Sequence, residues 1–119
     1  MKLQNYRQVA GVEAAPGVTM RVVAGPAEQA PTFVMRVFEI EPGNGTPLHS
    51  HPWEHEVFVL SGSGELHSTD GRKPLAEGDT VTVLPGEEHS FNGTGADTFR
   101  VICVVPLVDG RMPGMPVSD

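Results

Sequence analysis

The chain has 119 residues, eight Lys and Arg against fifteen Asp and Glu, and a formal charge of −7. That is the length of one domain, and without a basic cluster it argues against nucleic acid and anionic membrane surfaces as partners. A single cysteine, Cys103, excludes an intramolecular disulfide and favours a reducing, cytoplasmic setting, and no run approaches the roughly 20 apolar residues that span a bilayer.

The N-terminal twenty residues, "MKLQNYRQVAGVEAAPGVTM", carry no apolar export core. Beyond them, 14 Gly and 11 Pro punctuate short runs rich in Val, Thr and Phe, with no sustained helical periodicity. Alternation and breakers predict strands at 18–24, 33–40, 47–51, 55–60, 63–68, 80–84, 88–92 and 98–105, separated by segments such as "GPAEQAP", "EPGNG", "TDGRKP" and "NGTGAD". Evenly spaced short strands imply an all-β sandwich or small barrel. In "TVTVL" Val81 and Val83 alternate with Thr80, Thr82 and Leu84, whereas "VICVV" is apolar on both faces and reads as a central strand. The expected organisation is one domain: a barrel core at about 33–105, an N-terminal strand region at 1–32 and a surface tail at 106–119.

Three of the five histidines fall within "HSHPWEH". His49 and His51 are two residues apart, so in a strand their imidazoles share a face at a spacing suited to adjacent ligands of one ion. Solvated histidines on an exposed strand are the alternative for that pair. In "HEVFVL" His55 shares parity with Val57 and Val59, and an imidazole among interior aliphatic groups needs a partner for its ring nitrogens. Glu56 lies on the opposite face. His89, in "LPGEEHSFN", follows a Pro-Gly turn and begins a strand, where alone it could equally be structural or solvated. His67, in "GELHSTD", reads as a solvated residue outside this group.

These residues resemble the two motifs of the cupin superfamily, small β-barrels of jelly-roll type. Gly43, His49, His51 and Gly62 stand in register with the first motif, and the position that usually carries a glutamate falls on His55. Gly78, Gly86 and His89 match the second, with Pro85 and Asn92 each one residue from the family's spacing. More narrowly, "APTFVMRVFEIEPG" and "HSHPWEHEVFVLSG" are similar to small bacterial manganese monocupins with a four-histidine site. The resemblance implies that His49, His51, His55 and His89 are metal ligands and that the ion is manganese. Imidazole donors by themselves accept Zn, Cu, Fe or Ni at least as readily.

Four neutral donors leave a divalent ion its full charge, and a six-coordinate ion keeps two positions open for small molecules. The leading expectation is therefore a metal-dependent oxygenase or oxidase acting on a small organic substrate. A redox-neutral isomerase, cyclase or lyase and a ligand-binding module without catalysis are the alternatives. Parity places Phe91 on the face of His89, and Cys103 on that of Val101 and Val105, either near the metal or as a small buried hydrophobe. Arg36, inside the apolar run "FVMRVF", could bind an anionic substrate or sit at an edge. Trp53 could wall the cavity or plug a gap beneath its turn. A short barrel with apolar strand faces leaves sheet surface to cover, which makes a homodimer the expected assembly.

Overall fold

The computed structural model describes residues 1–114. Nine strands follow one another: β1 (Val12–Ala15), β2 (Val18–Ala24), β3 (Phe33–Ile40), β4 (His55–Ser61), β5 (Gly64–Ser68), β6 (Gly71–Leu75), β7 (Thr80–Val83), β8 (His89–Gly93) and β9 (Phe99–Pro106). Short 3-10 turns at Tyr6–Gln8 and Pro26–Glu28 are the helical elements among the described residues. The strands form two antiparallel sheets, one of six strands ordered β1-β2-β3-β9-β4-β7 and one of three ordered β6-β5-β8. The all-β jelly-roll expectation is met.

The strand period of two decides what faces inward. Val34, Arg36, Phe38 and Ile40 from β3 point to the interior, as do Phe99, Val101, Cys103 and Val105 from β9 and His55, Val57 and Val59 from β4. β9 lies between β3 and β4, the central place its doubly apolar sequence requires. Its register sets Cys103 beside Arg36 on one side and Val57 on the other. On the outer face Phe33, Met35 and Phe58 remain 62%, 42% and 44% exposed, an apolar surface that none of the described residues covers fully.

Three expectations need correction. Residues 47–51 do not form a strand; an extended loop runs along β8 through isolated bridges. β1 and β6 went unpredicted because both are edge strands with weak patterning. β6 tolerates Pro74, whose missing N–H costs no ladder bond on an open edge, and its sequence lies mostly in the run "TDGRKP" read as a connector. β1 reaches β2 through Pro16-Gly17, where Gly17 has φ +71° and a Cβ would sit 2.3 Å from the Asn44 side chain. The tail after β9 lies only partly on the surface: Val108 to Arg111 are exposed and pair across an Asp109-Gly110 turn, while Leu107 and Met112 pack against the core and Pro113 is buried. The calls on residues 115–119 lie outside the described residues.

Candidate metal centre

Two elements supply histidines from strands and one supplies them from a loop. His55 opens β4 and His89 opens β8; they are 6% and 2% exposed. His49 and His51 lie on the extended loop, which is clamped to β8 by paired backbone bonds. His49 N donates to His89 O at 3.1 Å and His89 N to His49 O at 2.9 Å, while Thr46 N donates to Phe91 O at 2.9 Å. Pro47 and Pro52 have no N–H to give, so pairing here breaks into separate bridges instead of a continuous ladder. The His-x-His parity nonetheless survives, because the segment stays extended. Five ring pairs within the quartet have centroids 4.7–5.2 Å apart.

The Nδ1 atoms explain how the rings are aimed. His49 Nδ1 donates to Pro47 O at 2.6 Å, His51 Nδ1 to Trp53 O at 2.7 Å and His89 Nδ1 to Glu87 O at 2.7 Å. In each case the carbonyl lies two residues away, so local backbone fixes the tautomer with the proton on Nδ1 and leaves Nε2 as a lone pair. His55 differs, its Nδ1 lying 2.9 Å from Cys103 Sγ. The neighbouring carboxylates take no part: Glu54 and Glu56 are exposed, and the Glu87 carboxylate accepts Leu84 N. Glu56 is on the outer face, as its parity requires.

Candidate ligand atoms of His49, His51 and His89 lie within 4.8 Å of one another, a grouping that could hold a metal ion. His55 Nε2 is 2.9 Å from His89 Nε2. Two nitrogen donors at right angles on an ion with metal–nitrogen bonds of about 2.1 Å are about 3 Å apart, so this contact has the length of two adjacent ligands. The donor set fits a divalent transition ion: imidazole nitrogens, buried at His55 and His89 and partly buried at His49 and His51, turned toward one another with no acidic side chain among them.

Burial and the mutual repulsion of nearby imidazolium charges hold His51, His55 and His89 below the usual imidazole range. His55 is pushed down to about 2 and His89 to about 4, each chiefly by burial; His51 is also lowered, again by burial first. Neutral imidazole is the form that ligates, so no proton need leave these rings at neutral pH. The Cys103 thiol is pushed up by burial, against the opposing pull of Arg36.

A cavity of about 30 Å³ opens on the quartet. Arg36, Trp53, Phe91 and Cys103 all line it, together with His49, His51, His55 and His89. Trp53 stacks on His51 with centroids 4.5 Å apart and planes 3° from parallel, so it belongs to the wall. Arg36 is 4% exposed and not at an edge. Sequence reasoning missed Phe38, Ile40 and Thr46, of which the first two share parity with Arg36 and were legible on that ground. Pro113 and Gly114 also line the cavity, brought there by the turn after β9, and no periodic signal marks them. His67 lies apart on β5, 3.0 Å from Glu65.

Comparison with known proteins agrees with this fold. A family profile described as a cupin domain matches residues 36–105. The oxalate-binding protein of Thermotoga maritima is 31% identical over 71 residues, which are 59% of this chain and 59% of that relative. Among solved structures, the polyketide cyclase RemF from Streptomyces resistomycificus superposes with a TM-score of 0.83 at 32% identity, over 89% of this chain and 79% of its own. A cupin 2 domain-containing protein from Halorhodospira halophila gives 0.74 at 34% identity, over 88% and 74% respectively.

Proposed function

The chain belongs to the cupin domain family, and from that premise we propose that it is a metal-dependent enzyme in which His49, His51, His55 and His89 hold a divalent ion facing a small organic substrate. The observation that carries this reading is that, among the described residues, no carboxylate lines the cavity where imidazoles converge. A divalent ion held by neutral donors supplies Lewis acidity undiminished by ligand charge. The rest falls to the chain. The carbonyls of Pro47, Trp53 and Glu87 and the Cys103 sulfur orient the rings, and Phe38, Ile40, Val57 and Phe91 keep the walls dry.

Redox-neutral chemistry, the polarisation of a substrate oxygen as in a cyclase or isomerase, is the reaction class we favour. It follows from the neutral donor set, and the 32% identity to a polyketide cyclase supports it. An oxygenase or oxidase is the second reading, favoured by the apolar walls, which offer an oxidant few groups to attack. Manganese is the ion we propose, on the likeness to four-histidine monocupins; zinc, iron, nickel and copper suit the same donors.

The test is element analysis of protein purified without added metal, followed by a substrate screen with and without peroxide. We expect near-stoichiometric ion and turnover indifferent to peroxide. Peroxide-dependent turnover would move the assignment to the oxygenase, and a protein that never retains an ion would end the metal reading. We further propose a homodimer across the outer face bearing Phe33, Met35 and Phe58; sedimentation as a monomer at every concentration would refute it.

A further inference from the structure

Arg36 has a placement that metal binding leaves unexplained. Its side chain points inward from β3 and lines the cavity. Taking a guanidinium out of water costs several kcal/mol unless a well-placed partner compensates, yet its partners are poor. Nη2 donates to Cys103 Sγ at 3.1 Å, and sulfur is a weak acceptor. Nε is buried and has no partner among the described residues. The guanidinium carbon lies 5.1 Å from the centroid of the Phe38 ring, a cation–π contact weaker than an ion pair.

The two partly buried arginines, by contrast, are paired. Arg21 and Arg100 each donate to the Glu39 carboxylate at 2.8 Å on the outer face of the sheet. No ion pair among the described residues includes Arg36, and no Asp or Glu lines its cavity. The neutral quartet beside it provides no negative charge either. A divalent ion there would add to the positive potential instead of compensating it.

We propose that Arg36 is the anion anchor of the cavity, and that the substrate is a small organic acid whose carboxylate docks on the Nε–Nη2 edge of the guanidinium. That edge presents two parallel N–H groups matched to the two oxygens of a carboxylate. One is unpartnered and the other is held by a sulfur that a carboxylate displaces at little cost. Cys103 links the anchor to the ligand group, since its Sγ also meets His55 Nδ1. An acid seated on Arg36 therefore has its remaining atoms directed among the imidazoles. Arg36 is thereby a specificity-determining residue, selecting acids over neutral analogues of the same shape. This deepens the metal-enzyme reading but depends on it only for the reaction, not for the binding.

The experiment is calorimetric titration of benzoate and of benzamide into wild type, Arg36→Gln and Arg36→Met, each metal-loaded and metal-stripped, with metal content and melting temperature measured in parallel. Benzoate should bind wild type more tightly than benzamide does. Both variants should lose about 10- to 100-fold in benzoate affinity, the usual worth of a charged hydrogen-bonded contact. Benzamide affinity and metal content should not change. The loss should persist in the stripped protein, so a wild type that holds no ion yet shows it would sink the metal reading and keep the anchor. Unliganded Arg36→Met should melt at or above the wild-type temperature, because an uncompensated buried charge has been removed. Should Arg36→Met not fold, Arg36→Lys, which keeps the charge without the fork, should lose part of the benzoate preference. Equal benzoate affinity in wild type and variants, no benzoate binding by wild type, or parallel losses for benzoate and benzamide with a lowered melting temperature would each overturn the proposal.

Discussion

The histidines borne by strands and those borne by the loop reach the same centre by different physical means. His55 and His89 are buried at strand starts and held neutral by desolvation, so their positions are set by the core and would persist without any ion. His49 and His51 are more exposed and owe their aim to short backbone contacts at Pro47 and Trp53. Ordering a loop consumes part of what each ligand contributes. One half of the centre is thus set by burial in the core, and the other half by the local backbone contacts of a clamped loop.

The largest expected effect tests that division directly. His55→Ala or His89→Ala should lower metal affinity by more than about 100-fold, beyond the 10- to 100-fold that loss of an outer supporting group costs. His49→Ala should lose less, because a water can replace a partly exposed ligand. Competition titrations with a chromophoric chelator would read both, and equal losses at all four positions would erase the distinction between strand and loop.

A smaller effect concerns acid. In the unfolded chain an imidazole takes its proton near pH 6.5. In the folded, metal-free protein His89 resists protonation until about 4 and His55 until about 2. Between those values the unfolded state binds more protons, so stability falls as pH falls, by up to about 1.4 kcal/mol per pH unit for each ring. Urea unfolding of metal-free protein from pH 7.5 to 4.5 should show midpoints declining below pH 6.5. A flat profile would mean that the strand-borne pair is not held neutral.

The smallest effect sharpens the same comparison by a null result. Glu56 is adjacent to His55 but on the outer face. Glu56→Gln should leave metal affinity within about two-fold, as expected of a surface change far from any special contact. A loss rivalling that of His55→Ala would return a carboxylate to the donor set.

Much of this was legible because the β period is short and strict. Parity alone separates His55 from Glu56, aligns Phe91 with His89 and puts Cys103 on the inner face, and the doubly apolar "VICVV" marks a central strand. Two of the four edge strands were not legible. β1 and β6 have one open side, where Pro74 and charged side chains carry no penalty and so leave no pattern. The loop at 47–51 has strand-like alternation, but its prolines prevent continuous pairing, a tertiary outcome that local reading overstates. Three of the four Nδ1 partners are backbone carbonyls, which every residue possesses and no sequence advertises.

One feature of the cavity wall has a practical side. Trp53, the chain's single tryptophan, lies flat against His51, so the indole emission of the whole protein originates beside the imidazole cluster. Paramagnetic ions quench such light and filled-shell ions do not, which makes an ordinary fluorimeter able to distinguish manganese from zinc as either one is added to the stripped protein.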